Sequence, residues 1–94
     1  MIYRTQVKII ADVLSATKEY DFDNRGIGVT TIIRKANLSH PRLMKILSDL
    51  VSSGLLEETI NGKISKYKLS MKGQHFLLEY NKFHDFATTF GLRL

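Results

Sequence analysis

The chain has 94 residues, no cysteine and a formal net charge of +5. That length suits one domain with a small core, and the missing cysteines exclude disulfides, thiolate metal sites and a cysteine nucleophile. No apolar run approaches the roughly 18–20 residues that span a bilayer, and MIYRTQVKII lacks the features of a signal peptide, so a cytoplasmic protein without a membrane partner is expected.

Charge is unevenly placed. Asn24 to Ser48 holds Arg25, Arg34, Lys35, Arg42 and Lys45 with no acid, and Thr59 to Leu78 holds Lys63, Lys66, Lys68 and Lys72, again with no acid. Two acid-free basic blocks point to a polyanionic partner.

Tyr3 to Tyr20 reads as a helix. Tyr3, Val7, Ile10 and Leu14 recur at helical spacing, with Val13 and Thr17 beside them. Ile9 widens the stripe and is expected to meet a partner or a loop. "DFDNRGIG" ends the helix with turn chemistry. Asp21, Asp23 and Gly26 mimic part of a calcium loop, but Arg25 and Ile32 stand where oxygen ligands are required, which excludes calcium. Val29 to Ala36 is a second helix, with Thr30 or Thr31 as cap and Ile32, Ile33 and Ala36 inward.

Asn37-Leu38-Ser39 is a tight break. Ser39 then caps a third helix through its hydroxyl, with Pro41 in the first turn, where a missing N–H costs little. Leu43, Ile46, Leu47, Leu50 and Val51 follow at i, i+3, i+4, i+7, i+8 and form its buried face. Gly54 stops it in a left-handed conformation. Leu55 to Thr59 is a strand, Asn61-Gly62 a hairpin turn, and Ile64 to Leu69 the return strand, with Tyr67 and Leu69 on one face and Lys66 and Lys68 on the other. Ser70 caps a last helix from Met71 to about Phe90.

The order is helix, helix, tight break, helix, hairpin, helix. It predicts a mostly α fold with a small β-hairpin, a winged helix-turn-helix over residues 1–70 with an added C-terminal dimerisation helix over 71–94. In a helix-turn-helix the second helix enters a major groove. Its face away from the core carries His40, Arg42, Met44, Lys45, Ser48, Asp49 and Ser52, and arginine can bridge guanine O6 and N7. Lys63 and Lys66 stand on the wing. Ser39, Thr30, Thr31, Arg34 and Lys35 complete the candidate DNA contacts.

The last helix carries a seam, with Phe76, Tyr80, Phe83, Ala87, Phe90 and Leu94 alternating by four and three. Burying four of these aromatics at about 1.5–3 kcal/mol each would drive a homodimer. No catalytic constellation, metal set or cofactor site is present in the pattern. His75 and His84 lie on different helix faces, and Glu57 and Glu58 point to opposite sides of a strand. The function read from these residues is DNA binding as a transcriptional regulator or nucleoid protein, with no small-molecule substrate. The alternative is a winged-helix module that docks an acidic protein.

"KANLSHPRLMKILSDLVSSGLLEE", followed by "YKLSMKGQHFLLEYNKFHDFATTFGL", resembles the small, ten-kilodalton, chromatin-associated winged-helix DNA-binding proteins of archaea. Its specific parts are Ala36 to Ser39, the Leu43/Leu47/Leu50 pattern into Gly54-Leu55-Leu56, Tyr67 to Leu69 into Lys72-Gly73, and Phe76 to Tyr80. The resemblance implies a dimer through an antiparallel coiled coil of C-terminal helices, and double-stranded DNA as the partner. It matches Arg42 and Lys45 to the recognition helix, Lys63 and Lys66 to the wing, and Phe76, Tyr80, Phe83 and Phe90 to the dimer helix. His40 stands where that family commonly has an aromatic, and the Asp21–Gly28 loop is longer than usual there.

Overall fold

The computed structural model describes residues 4–92, so Tyr3 and Leu94, assigned above to the first helix and the seam, lie outside the described residues. Six elements follow in order: α1 Gln6–Glu19, α2 Val29–Ala36, α3 His40–Ser52, β1 Leu56–Asn61, β2 Ile64–Leu69 and α4 Met71–Thr89. This is the fold expected from the sequence, three helices and a two-stranded wing with a fourth helix added.

α1 begins at Gln6 because Thr5 is extended and its hydroxyl accepts the Lys8 N–H at 3.1 Å, an N-cap. Its buried residues are Ile9, Ala11, Val13, Leu14, Ala16 and Thr17. Val7 is exposed and Ile10 only half-buried, while Ile9 is core, so the expected stripe is rotated. The reason is that α1 packs against α2, β2 and α4 together. A helix with neighbours on several sides buries more of its circumference than one amphipathic stripe. Thr17 is tolerated there because its hydroxyl donates to the Leu14 carbonyl at 2.7 Å.

α2 starts one residue before Thr30, and Gly28 is its N-cap without a side-chain hydrogen bond. Both threonines therefore sit in the first turn rather than capping it. Asn37 ends α2 in the left-handed region, φ 56° and ψ 57°, a conformation asparagine tolerates better than most residues. The break is held from a distance. The Arg4 guanidinium donates to the Ala36 carbonyl at 2.7 Å and the Asn37 carbonyl at 2.8 Å, and pairs with Asp12 at 3.0 Å. A cation is thus fixed at the negative end of α2, and the start of α1 is tied to the turn before α3.

Ser39 occupies the N-cap of α3, but its hydroxyl makes no cap bond. Leu43, Ile46, Leu47 and Leu50 are buried as expected, with Val51 half-buried. The helix ends in a Schellman motif: the Leu55 N–H bonds the Leu50 carbonyl at 2.9 Å and the Gly54 N–H the Val51 carbonyl at 3.1 Å, with Gly54 at φ 84°.

β1 runs two residues past Thr59 and pairs with β2 antiparallel, Leu56 opposite Leu69 and Asn61 opposite Ile64. The turn residues are therefore Gly62 and Lys63 rather than Asn61 and Gly62. Only Gly62 has a positive φ, 66°, as in a type II′ connection with glycine first. Ile27 adds a single bridge to β2, bonded both ways to Tyr67 at 2.9 and 2.8 Å. The Asp21 and Asp23 carboxylates accept the Gly26 and Arg25 N–H groups, so they shape their own loop.

One junction joins the end of α3, the base of the wing and the start of α4. The Ser70 hydroxyl donates to the Gly54 carbonyl at 2.6 Å and accepts the Gly73 N–H at 2.9 Å. Gly73 is buried against this link, and a Cβ there would collide with the Leu55 carbonyl oxygen and lie 2.7 Å from Leu69 Cδ1.

Two outcomes follow from these contacts. Gly73→Ala should lower stability by about 3 kcal/mol or more in urea unfolding, since backbone rather than a flexible side chain blocks the methyl. Arg4→Ala should lower it by about 1–2 kcal/mol by freeing two helix-end carbonyls, seen as a drop of roughly 4–16 °C in Tm.

Candidate nucleic-acid interface

With Leu43, Leu47 and Leu50 pinned in the core, helical geometry turns Arg42, Lys45, Ser48 and Asp49 outward, and all four are exposed. His40 and Ser39 are exposed at the N-terminal end. Lys45 and Ser48 lie one turn apart along the outer face. Asp49 lies two turns beyond Arg42 on the same edge. α3 therefore presents its first two turns as basic and polar, with its acid in the third.

Between α3 and the wing lies a hollow of about 290 Å³, lined by Met44, Leu47, Ser48, Val51, Ser52, Glu58 and Tyr67. The Tyr67 hydroxyl donates to the Glu58 carboxylate at 3.1 Å. Burial first, and then that hydrogen bond and the carboxylate charge, push the Tyr67 hydroxyl above the ordinary tyrosine range. It stays a protonated donor at neutral pH and holds a carboxylate on the α3 side of the wing. Sequence reading missed this pair, because a turn at Asn61-Gly62 would have set Leu56 opposite Tyr67, and the observed register puts Glu58 there instead.

The α2 candidates divide. Thr30 and Arg34, one turn apart, are exposed. Thr31 is half-buried in a hollow shared with Tyr20, Phe22 and Lys66. The Lys35 ammonium sits 4.5 Å from the centroid of the Tyr20 ring, a cation–π contact with the end of α1. The wing candidates divide as well. Lys63 is exposed in the turn. Lys66 stands opposite Thr59 on the sheet face away from Tyr67 and Glu58, and so away from the α3 hollow.

The first half of α4 is built into the domain. Gly73 and Leu77 are buried, and Phe76 and Tyr80 pack half-buried against the core. Farther along, Phe83, Phe86 and Phe90 are 57%, 62% and 67% exposed, and the Phe86 and Phe90 rings meet edge-on at 5.1 Å. Ala87 is 1% exposed, and its carbonyl accepts the Phe90 and Leu92 N–H groups of the closing turn. The seam residues thus serve different surroundings: Phe76 and Tyr80 the domain, Phe83 and Phe90 solvent. Among the described residues no three of His, Asp and Glu converge on a metal position, and no helix is long and apolar enough to cross a membrane.

The model of the winged helix-turn-helix family matches residues 3–88. Among solved structures, the chain is similar to Sso10a-2, a DNA-binding protein from Sulfolobus solfataricus, with 21% identity and a TM-score of 0.80 over 93% of this chain and 85% of that one. It is similar also to AF1382 from Archaeoglobus fulgidus, with 17% identity and a TM-score of 0.70 over 87% and 89%. MepR, a transcription regulator of the Staphylococcus aureus multidrug efflux pump MepA, matches at 13% identity and a TM-score of 0.70 over 86% of this chain and 59% of that one. A search of curated protein sequences found no match. At these identities the structural likenesses are likenesses of fold, and the fold is the winged helix-turn-helix expected from the residues. With most of its length matched by the family model, the chain belongs to the winged helix-turn-helix family.

Proposed function

We propose that the protein binds double-stranded DNA as a homodimer and acts as a transcriptional regulator or nucleoid protein. One observation carries the reading: α3 leaves the tight Asn37–Ser39 break with its apolar face locked inward and Arg42, Lys45 and Ser48 exposed on the other side. A helix held so, beside an extended hairpin tipped by Lys63, has the geometry that enters a major groove while the wing meets the flanking backbone. Ser39, His40, Thr30 and Arg34, all exposed, would add backbone or base-edge contacts. Thr31 and Lys35 would contribute from the α2 edge that faces Tyr20. The likeness in fold to Sso10a-2, a DNA-binding protein, and to MepR, a transcription regulator, supports the same reading.

Dimerisation rests on α4. Phe83, Phe86 and Phe90 leave a contiguous apolar strip in water on the half of the helix that extends beyond the core, and a second copy of the same strip would cover it. Phe76, Tyr80, Ala87 and Leu94 would flank that contact in a seam of two α4 helices, as the archaeal resemblance implies for an antiparallel coiled coil. In this arrangement residues 1–70 present the DNA-binding face and residues 71–94 join the subunits.

Duplex binding measured by fluorescence anisotropy should weaken about 10³–10⁵-fold between 50 and 200 mM salt if roughly 6–10 phosphates are neutralised per dimer. Arg42→Ala should relax sequence preference if Arg42 reads a base, whereas Lys45→Ala should weaken all duplexes alike and reduce the salt slope by about 1 if Lys45 holds a phosphate. No binding at low salt would favour an acidic protein partner instead. In sedimentation, the unmodified chain should run as a dimer and Phe83→Glu as a monomer.

A further inference from the structure

A second basic surface lies on the opposite side of the wing. There a hollow of about 620 Å³ is lined by Arg25, Lys66 and Lys68, together with Asn24, Asn61 and Glu57 among others. The hairpin register sets Lys68 opposite Glu57 and Lys66 opposite Thr59, so both lysines occupy the face turned away from Glu58 and Tyr67. Arg25 comes from a distant loop and is placed with care. The Asp23 carboxylate accepts its N–H at 3.2 Å, the Asp21 carboxylate accepts the Gly26 N–H at 2.9 Å, and Ile27 is bridged to Tyr67. Gly26, at φ 89°, lies so close to β2 that a Cβ would stand 3.0 Å from the Tyr67 carbonyl oxygen. The loop is therefore laid directly along the strand that carries Lys66 and Lys68.

These three cations are not neutralised from within. The ion pairs among the described residues use Arg4, Lys8, His75, Lys82 and His84, and none involves Arg25, Lys66 or Lys68. Glu57 is the one carboxylate lining the hollow. The surface is thus an open groove in which three cationic groups and the amides of Asn24 and Asn61 outnumber the single carboxylate, beside Thr59 and the apolar Ile64, and its net positive charge suits a run of phosphodiesters.

We infer that this outer wing face holds the backbone of a second duplex, with Arg25 and Lys68 as contacts additional to those of α3. The inference rests on the duplex-binding reading above. Position separates the two faces. Lys68 lies five residues from Lys63, about 17 Å along the strand, at the base of the wing and on its far side. A duplex seated on α3 meets the tip and the near side of the wing, and the base of the far side faces open solvent where another duplex fits. Each subunit would then bring two duplexes together.

The test uses the full chain with two short duplexes, one biotinylated and one fluorescent. Streptavidin capture reads retention of the fluorescent duplex, and anisotropy reads affinity for a single duplex. The two α3 faces of a dimer can themselves hold two duplexes, so capture is read in the Phe83→Glu background: there Arg25→Ala/Lys68→Ala should cut captured fluorescent duplex about fivefold or more and leave single-duplex affinity within about twofold, and Arg25→Lys/Lys68→Arg should restore capture. Unchanged capture by the alanine pair in that background overturns the inference. Capture and affinity falling together also overturn it, by assigning the cations to the first duplex, as does a wild-type chain that binds one duplex but captures no second. A wild-type chain that binds no duplex at low salt removes the underlying reading instead, and it is told apart because single-duplex affinity is then absent from the start.

Discussion

The fold turns on the place where α3, the wing and α4 converge. A single hydroxyl, that of Ser70, closes the Gly54 carbonyl at the end of α3 and caps the Gly73 N–H at the start of α4. Gly73 lets the α4 backbone lie against the Leu55 carbonyl with no side chain between. Each group there is buried or partly buried, so each must find its partner inside the protein. The result is that α3, the hairpin and the long C-terminal helix have fixed relative directions. At the opposite end of α3, Arg4 does comparable work by holding the last carbonyls of α2. α3 is thus gripped at both ends by contacts that leave its outer face free.

That freedom explains the charge pattern. A small domain spends most of its apolar residues on one core, and here the core takes one face of α3 and one face of the wing base. What remains outward on α3 is polar and basic through Ser48, with Asp49 beyond it. The wing divides its charge by face. Glu58, held by Tyr67, stands toward α3, and Lys66 and Lys68 stand away from it. Under the proposed duplex binding, a carboxylate beside α3 repels phosphate and accepts from a cytosine amino group, so the near side of the wing would discriminate and the far side would attract.

Much of this was legible in the residues because it is local. The Leu43/Ile46/Leu47/Leu50 spacing, the Ser70 cap and the alternation around Tyr67 each report a period or a cap that a few neighbours determine. The misses share a different cause. The buried face of α1 was misplaced because three elements surround that helix, and its own periodicity cannot report them. The turn moved from Asn61-Gly62 to Gly62-Lys63 because the strand register, set by Tyr67 and Leu69 against the core, outweighed a local dipeptide preference. The Arg4 clamp spans 32 residues, and the Ile27 bridge consists of one residue pair, so neither leaves a pattern to read. The orientation of Lys66 was available in the alternation, since a buried Tyr67 sends its neighbour to the other side. The division of α4 between core and solvent was not, because Phe76 and Phe83 look alike until the extent of the domain beneath them is known.

Duplex DNA is proposed to sit on the outer face of α3. Titrating a short duplex into isotopically labelled protein and following backbone amide shifts tests it residue by residue. The account requires the largest changes from His40 through Ser48 and at Lys63. Changes confined to α4, or no change on α3 at low salt, would contradict it.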